Sequence, residues 1–247
     1  MAPTTNVFIT GVSRGLGKAL AATYLSRPNH LVIGSVRDLA AAKELDSLPV
    51  AEGSKLSLVK IEVTKSTDFA DAVKKIQGEG VEKLDLVIAN AGISGKIGGV
   101  AAAQLDDVRE VFEVNVVGVV ALFQATLPLL TKSESPKWVS IGTISGTIGG
   151  MEQIAAFPTV PYGISKAGLN FATRAIHFNH PNLTAFVIHP GWVKTDMGNG
   201  NAKAFGLAEA FHNIDDSIKG VVKIINGATR EETSGKFIDF EGASVAW

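Results

Sequence analysis

The sequence predicts one α/β domain, residues 1–247, in which a doubly wound parallel sheet lies between two layers of helices. Short runs of β-branched residues alternate with helical patterns along the chain, and strands connected by helices form parallel sheets covered on both faces. No internal repeat, low-complexity segment or linker interrupts this alternation. Of the 247 residues, 46% are hydrophobic and 19% are charged, which is enough apolar material for one large core.

Four predicted strands occupy the first half of the chain, at residues 7–9, 31–36, 55–63 and 84–89. Each run is short and rich in Val, Ile and Leu, as expected of strands buried on both faces. Helical patterns lie between them at residues 18–25, 39–48 and 67–77. Pro49 ends the second pattern, because proline cannot continue a helix.

The second half of the chain continues the alternation. A long helical pattern covers residues 105–130, interrupted by Gly118 and ending near Pro128. Predicted strands follow at 138–141, 185–189 and 236–240, separated by helical patterns at 162–179 and 217–226. Crossover helices bring the carboxyl ends of all strands to one edge of the sheet, where α/β domains bind ligands.

Composition and charge argue against several classes of function. A formal net charge of −1 is unlike that of a nucleic-acid-binding protein, and no cysteine is present for a disulfide or a thiolate metal site. The five histidines have no regular metal-ligand spacing, so no metal is expected. Residues 1–11 lack a secretory pattern, and the longest apolar stretches contain Asn115, Gln124 or Gly118, so no membrane span is expected. We therefore expect a cytoplasmic protein.

A glycine-rich turn, Thr10-Gly11-Val12-Ser13-Arg14-Gly15-Leu16-Gly17, joins the first predicted strand to the first helical pattern. Backbone N–H groups of such a turn point outward, and the helix N-terminus adds roughly half a positive charge, so the turn can bind an anion. Three glycines would let a diphosphate approach the backbone closely. The TGxxxGxG spacing differs from the GxGxxG fingerprint, and by itself the turn fits either a nucleotide site or a plain strand–helix connection.

The end of the second predicted strand indicates which dinucleotide would bind. Proteins that select NAD have an acidic residue there, whereas this chain has Gly34-Ser35-Val36-Arg37-Asp38. Arg37 and Arg14 could hold a 2′-phosphate by charge-assisted hydrogen bonds, which predicts NADP(H). In one alternative both arginines are solvated surface charges. In another, a shift of one residue makes Asp38 the acid that selects NAD.

Two further positions carry unusual residues. Asn90-Ala91-Gly92 closes the fourth predicted strand, where small residues permit close approach of the adenosine side of a cofactor, although the tripeptide also fits an ordinary turn. Asn115 lies inside an apolar helical pattern, where asparagine is unfavourable. Such a buried amide either bonds its own backbone or anchors a water molecule.

The segment Tyr162-Gly163-Ile164-Ser165-Lys166 carries the strongest chemical indication. Residues four apart share one helix face, with β-carbons roughly 5–6 Å apart. A neighbouring ammonium favours the phenolate and lowers the pKa of a tyrosine, so Tyr162 could exchange a proton near neutral pH. Tyr and Lys four apart are also common by chance. The position of the pair after the fifth predicted strand favours the catalytic interpretation.

Together these motifs resemble the short-chain dehydrogenase/reductase family over essentially the whole chain. The glycine turn, Asn90-Ala91-Gly92, Asn115, the Tyr162–Lys166 segment and PGWVKT at 190–195 occur in the family's order. Within the family, HPGWVKTDM at 189–197 is most similar to sniffer-type and fungal norsolorinic-acid-ketoreductase-like carbonyl reductases. The resemblance implies a Rossmann sheet of about seven strands, hydride transfer with NAD(P)(H), and homodimers or homotetramers formed through the long helices.

The resemblance also implies a catalytic set of Asn, Ser, Tyr and Lys. Tyr162 donates a proton to the carbonyl oxygen, Lys166 lowers its pKa and holds the nicotinamide ribose, and Asn115 supports a water that links Lys166 to solvent. The family pattern Ile-x-Ser-x-x-Gly places Thr143 at the serine position, where its hydroxyl can still donate to the substrate oxygen. Ser145, two residues further on, is the rival.

The cofactor contacts implied by the resemblance come from loops that follow the strands. They are Gly11, Ser13, Arg14, Gly15, Leu16, Gly17, Arg37, Glu62, Val63, Asn90, Ala91, Gly92, Tyr162, Lys166, Pro190, Gly191, Val193 and Thr195.

Two loops with apolar residues predict the substrate class. Eighteen residues separate Thr143 from Tyr162, and a second loop, rich in Gly and Ala, follows Thr195, so that residues 194–216 are the expected substrate lid. The expected pocket residues are Ile93, Met151, Phe157, Trp192, Met197 and Phe205. Such a pocket suits a bulky or aromatic ketone, for example an intermediate of secondary metabolism. The alternative is two surface loops with incidental hydrophobic residues.

The sequence therefore predicts an NADPH-dependent reductase that converts a ketone or aldehyde to an alcohol. The alternative from another class is a non-catalytic NADP(H)-sensing regulator of the same fold, which would have no need of the activated phenol at Tyr162. An NAD-linked oxidation of alcohols differs only in cofactor and direction.

Overall fold

Seven parallel strands form one sheet in the computed structural model, which describes residues 4–247. They are β1 (Thr5–Thr10), β2 (His30–Val36), β3 (Lys55–Lys60), β4 (Leu86–Ala89), β5 (Lys137–Ile141), β6 (Thr184–His189) and β7 (Phe237–Asp239). Their spatial order is β3-β2-β1-β4-β5-β6-β7, and every pairing is parallel. This order confirms the predicted doubly wound α/β fold. It reverses direction between β1 and β4, the position at which such sheets bind ligands.

Helices cover both faces of the sheet. Those of residues 4–247 are α1 (Gly15–Leu25), α2 (Ser66–Gly78), α3 (Leu105–Phe112), α4 (Gly118–Leu130), α5 (Met151–Ile154), α6 (Val160–Asn179), α7 (Asp196–Ala204) and α8 (Ile214–Gly227). The short α5 and the helix α7 lie in segments where the sequence predicts loops.

The central strand β1 shows how the two helical layers are held. Successive side chains of a strand point to opposite faces. Val7 and Ile9 belong to the hydrophobic cluster that includes α1 and α8, whereas Phe8 belongs to the cluster that includes α2, α4 and α6. All three side chains are fully buried, and each contributes roughly 1.5–3 kcal/mol to the stability of the fold.

Residues 39–48, predicted to be an α-helix, form a 3-10 helix over Ala40–Ser47 instead. Its buried residues are Ala42 and Leu45. They are three positions apart, so they lie on the same face of a helix with three residues per turn. Two buried residues provide too little apolar packing to stabilise an α-helix here.

The long helical pattern is interrupted earlier than predicted. α3 and α4 are joined by a five-residue π-helical segment, Glu113–Val117, and the chain remains helical through Gly118. A β-carbon at Gly118 would lie 2.0 Å from the Val63 side chain. The glycine is therefore required for the close approach of the loop after β3, and it does not break the helix.

The helix α7 corrects the expectation that a loop follows Thr195. The Thr195 hydroxyl accepts a hydrogen bond of 3.1 Å from the Gly198 N–H and so caps the helix, and Asp196 lies in the first turn. Both are common helix-start residues. Gly198 and Gly200 disguised the pattern, since glycine disfavours helix.

The helical stretch Leu105–Leu130 is long and apolar enough to cross a membrane. Half of its most apolar window is buried inside the protein, where Leu122, Phe123 and Leu129 pack on the sheet. Burial against a sheet is the behaviour of a core helix.

Candidate active site

The glycine turn after β1 and the turn after β4 are locked together at the carboxyl edge of the sheet. The Thr10 hydroxyl accepts hydrogen bonds from the N–H groups of Asn90 and Ala91, each at 3.0 Å. The Asn90 side-chain amide donates to the carbonyl oxygens of Thr10 and Gly11, at 2.8 and 3.3 Å. Thr10, which the sequence identifies only as the start of the turn, therefore sets the spacing of the two turns. Its position as a polar residue ending an apolar strand was the available indication.

Three glycines, which have no β-carbon, leave the backbone of this turn accessible to a ligand. Gly11 and Gly15 have φ angles of +73° and +56°, in the left-handed region that favours glycine. A β-carbon at Gly17 would lie 2.1 Å from the Gly11 carbonyl oxygen, and one at Gly11 would lie 3.2 Å from Ala91. The start of α1 therefore packs directly against the turn, which fits the predicted diphosphate cradle.

The other predicted cofactor contacts lie in loops at the same edge. Ser13 and Arg14 are in the turn itself, and Leu16 is in the first turn of α1. Arg37 follows β2, Glu62 and Val63 follow β3, and Pro190, Gly191, Val193 and Thr195 follow β6.

Charged groups near the end of β2 bear on the choice of dinucleotide. Arg37 is exposed directly after the strand. The Asp38 carboxylate accepts a hydrogen bond of 2.9 Å from the Ala40 N–H, in the turn that leads into the 3-10 helix. Arg14 forms an exposed ion pair with Asp196 at 3.0 Å, an interaction between the glycine turn and α7 that the sequence did not reveal.

Tyr162 and Lys166 lie together on the first turns of α6, as predicted. The Lys166 Nζ atom is 5.6 Å from the centroid of the Tyr162 ring and donates a hydrogen bond of 2.8 Å to the Ile141 carbonyl oxygen at the end of β5. Burial lowers the pKa of Lys166 to about 8. Burial also raises the pKa of Tyr162 to about 12.

The shift in the Tyr162 pKa is opposite to the expected direction. The expectation considered only the neighbouring ammonium, which favours a phenolate. In this structure the loss of water around the hydroxyl disfavours the phenolate more strongly, and Lys166 directs its hydrogen bond to the Ile141 carbonyl oxygen. Tyr162 is therefore a neutral phenol at neutral pH.

Asn115 is fully buried in the π-helical segment. Its amide donates to the Ile93 carbonyl oxygen at 2.8 Å and to the Ser165 hydroxyl at 2.9 Å, while its own oxygen accepts from the Ile93 N–H at 2.9 Å. The side chain does not bond its own helix backbone, which was the first of the two alternatives. It joins the loop after β4 to α6, and a water at Asn115 stays a prediction.

Ser165 is a further site residue, which the sequence analysis quoted without assigning it a role. Its hydroxyl donates to the Tyr162 carbonyl oxygen at 2.7 Å and accepts from Asn115. Since the residue is fully buried, both bonds hold the first turn of α6 in place. A small polar residue on the inner face of a helix was the available indication.

Thr143 and Ser145 both lie in the short turn after β5. The Thr143 hydroxyl accepts a hydrogen bond of 3.2 Å from the Ser145 N–H, and the two hydroxyl oxygens are 3.5 Å apart. Both side chains are partly exposed. The assignment of the catalytic hydroxyl to Thr143 stays a prediction.

Aromatic side chains connect the two loops that were expected to form the substrate pocket. Phe157 lies edge-to-face with Trp192 and Phe205, with ring centroids 5.4 and 5.2 Å apart, and Phe211 adds a contact of 5.2 Å with Trp192. Three of the six predicted pocket residues thus come together, joined by Phe211, which lies in the expected lid, residues 194–216, but is not among the expected pocket residues. We call these four residues the aromatic cluster.

The other predicted pocket residues lie outside this cluster. Met151 and Met197 are 55% and 39% exposed, on α5 and on the first turn of α7. Ile93 is held through its backbone by Asn115. Within residues 4–247 no group of three or more His, Asp or Glu side chains is arranged to hold a metal ion.

Comparisons with known proteins identify relatives of this chain over nearly its whole length. The sequence model of the short chain dehydrogenase family matches residues 5–204. Short-chain dehydrogenase srdF of Neurospora crassa is 43% identical over 249 residues, covering 98% of each chain. Norsolorinic acid ketoreductase nor1 of Dothistroma septosporum is 41% identical over 248 residues, covering 98% of this chain and 92% of that protein.

Solved structures show the same fold. The NADPH-bound carbonyl reductase from chicken fatty liver superposes with a TM-score of 0.87 at 28% identity, covering 100% of this chain and 96% of that chain. Carbonyl reductase Sniffer of D. melanogaster superposes with a TM-score of 0.85 at 26% identity, covering 99% and 100% of the two chains. The predicted resemblance is confirmed, and the chain belongs to the short-chain dehydrogenase family.

Proposed function

We propose that this protein is an NADPH-dependent carbonyl reductase that acts on a bulky or aromatic ketone or aldehyde. One observation carries the proposal: Lys166 is buried with its ammonium 5.6 Å from the centre of the Tyr162 ring. Burying an ammonium is costly, and a protein that only senses nucleotides gains nothing from placing it beside a phenol.

Tyr162 is the proton donor in this proposal. Its raised pKa keeps the hydroxyl protonated at neutral pH, so the proton is available to a carbonyl oxygen. The positive charge of Lys166 stabilises the phenolate that remains after transfer. The Thr143 hydroxyl donates a second hydrogen bond to the same oxygen and stabilises the charge that develops there. When bound, NADPH supplies the hydride.

The proposed preference for NADPH rests on charges at the adenosine end of the cleft. Arg37 is exposed after β2, and a guanidinium suits a 2′-phosphate. One oxygen of the Asp38 carboxylate already accepts a hydrogen bond from the Ala40 N–H, which makes Asp38 less suited to be the acid that selects NAD. The chicken carbonyl reductase that shares the fold has NADPH bound.

The proposed substrate class rests on the aromatic cluster. A flat aromatic ligand can replace edge-to-face contacts such as that between Phe157 and Trp192. The free energy lost is small, because the rings form similar aromatic contacts with the ligand. Phe205 lies within residues 194–216, so opening of this lid would move its ring away from Phe157 and Trp192 and admit a large substrate. Phe211 would stay beside Trp192, because its N–H donates to the Trp192 carbonyl oxygen at 3.0 Å. Relatives named norsolorinic acid ketoreductase support a secondary-metabolite ketone.

We further propose that the protein is a homodimer or homotetramer. Ile164, Phe171 and Phe178 follow one another at seven-residue intervals along α6 and are 47%, 78% and 66% exposed. An exposed apolar stripe on a helix is typical of an interface, and a second copy of α6 would cover it. The molar mass in solution, measured by light scattering, tests this, and a monomer would contradict it.

The experiment that tests the catalytic function is a panel of aromatic and aliphatic ketones with NADPH and NADH, monitored by cofactor oxidation. Tyr162→Phe should lower kcat by roughly 100-fold or more with little change in NADPH affinity, since the ring remains and only the proton donor is lost. Lys166→Ala should reduce both turnover and cofactor binding. Near-normal turnover by Tyr162→Phe, or tight NADPH binding without turnover of any carbonyl compound, would favour the sensor alternative.

A further inference from the structure

The loop between β5 and α6, residues 142–159, is tied to the segment that follows β7. The Thr147 hydroxyl donates to the main-chain oxygen of Ala246 at 2.7 Å. The N–H groups of Ile148 and Gly149 both donate to the main-chain oxygen of Trp247, at 2.9 and 2.6 Å. These partners are about a hundred residues apart in sequence, so only the tertiary fold brings them together.

Trp247 is itself anchored to rigid elements. Its ring contacts Phe237 of β7 at a centroid distance of 5.7 Å, and the Arg174 guanidinium of α6 lies 5.0 Å from its ring centroid. The Val245 N–H donates to the Phe237 carbonyl oxygen at 2.8 Å, which aligns the segment along β7. The indole therefore joins the sheet and α6 to the β5–α6 loop.

The middle of this loop has few other attachments. Ile148 and Met151 are 71% and 55% exposed, so their side chains add little packing. Thr147 is the buried exception: besides donating to Ala246, its hydroxyl accepts a hydrogen bond of 3.0 Å from the Gly150 N–H at the start of α5. Residues 147–150 consequently take their position from the segment after β7.

The two ends of the loop are held independently of Trp247. At the first end, a β-carbon at Gly146 would lie 2.7 Å from the Lys166 backbone, and Asn170 donates to the Gly146 carbonyl oxygen at 3.2 Å. At the other end, the Val160 N–H donates to the Gly98 carbonyl oxygen at 3.1 Å. A change at Trp247 should therefore move the middle of the loop without moving Thr143 or Tyr162.

We propose that Trp247 is a positioning residue that holds residues 147–154 and thereby sets the fit of large ketones, but not the chemical step. The inference rests on the proposed reductase function. Substrates that extend from the site toward α5 would meet a loose wall in the absence of the indole, whereas small ketones do not reach it.

Trp247→Ala tests the proposal, with Trp247→Phe as the matched control that keeps a ring between Phe237 and Arg174. For Trp247→Ala we expect KM for a polycyclic aromatic ketone to rise about tenfold. The main-chain oxygens that accept the loop's hydrogen bonds remain, but without the indole they are no longer anchored, so one or two of those bonds are weakened or lost. The kcat value, the KM for a small aliphatic ketone and the NADPH affinity should stay within about twofold. Trp247→Phe should restore most of the KM.

Hydrogen exchange measured on the cofactor-free protein tests the contact without any assay of activity. The amides of Ile148 and Gly149 should exchange faster in Trp247→Ala, while amides of β5 and α6 keep their protection. Thr147→Val should reproduce the effect and Thr147→Ser should not, because serine keeps the hydroxyl.

Two results would overturn the proposal. One is unchanged exchange at Ile148 and Gly149 together with an unchanged KM ratio between large and small ketones. The other is faster exchange throughout β5 and α6, which would assign Trp247 a role in global stability only. If the unmodified protein reduces no carbonyl compound, the proposed function fails, and the exchange data still decide whether Trp247 holds the loop.

Discussion

Replacing Thr143 by valine removes one hydroxyl and leaves the branched shape of the side chain almost unchanged. In the structure that hydroxyl accepts a single hydrogen bond, from the Ser145 N–H at 3.2 Å, at a partly exposed position. Its loss should cost about 1 kcal/mol of stability or less, since water can take its place, and should therefore lower Tm by no more than about 2–4 °C. If the hydroxyl also donates to the substrate oxygen during hydride transfer, the loss of that donor should lower kcat by about 10²–10³-fold.

The two effects are measured separately, by thermal unfolding and by kcat/KM on one ketone. Thr143→Ser is the matched control, because it keeps the hydroxyl and should retain most of the activity. Ser145→Ala should change the rate by only a few-fold. If Ser145→Ala is the inactive variant and Thr143→Val is near normal, the reasoning is refuted and the catalytic hydroxyl belongs to Ser145.

Three further predictions concern charges and protons. Asp196→Asn frees Arg14 from its ion pair and should tighten NADPH binding by up to about fivefold at low salt, the range of an exposed pair. Weaker NADPH binding by Asp196→Asn would contradict the idea that the pair competes with the cofactor for Arg14. Arg37→Ala should remove much of the preference for NADPH over NADH in binding titrations, and equal affinities before mutation would contradict the assignment. Both tyrosines, Tyr24 and Tyr162, have a raised pKa because burial disfavours the phenolate, so near-ultraviolet absorbance should show no phenolate in the native protein at pH 10. Between pH 10.0 and about 12 the folded protein keeps the Tyr162 proton that an unfolded tyrosine loses, so the free energy of unfolding should fall as the pH rises through this range. Tyr24→Phe leaves Tyr162 as the only tyrosine, and a phenolate signal from that variant at pH 10 would refute the raised pKa.

Much of the candidate site could be predicted from local sequence. The glycine turn, the Asn90-Ala91-Gly92 turn and the Tyr162–Lys166 pair needed only the backbone requirements of glycine and the spacing of a helix face. The direction of the Tyr162 pKa shift could not be obtained in this way. It depends on how much water the folded protein excludes, and the spacing of two residues contains no information about that.

The aromatic cluster shows the same limit for packing. Phe157, Trp192 and Phe205 could each be identified as apolar residues in a loop. Their mutual contact, and the participation of Phe211, depend on where α7 lies. That helix was missed because Gly198 and Gly200 weaken its pattern, while the capping bond from the Gly198 N–H to Thr195 supports it.

By itself the sequence determined the alternation of strands and helices, and with it the doubly wound sheet and the edge at which the site lies. These features depend on side-chain periodicity and on the handedness of crossovers, which are local or general rules. Only the tertiary structure decided that Asn115 joins Ile93 to Ser165, that Arg14 pairs with Asp196, and that the Trp247 main-chain oxygen holds the β5–α6 loop. The physical reason is distance along the chain: each contact joins segments whose meeting is set by the packing of the whole core, which no local pattern encodes.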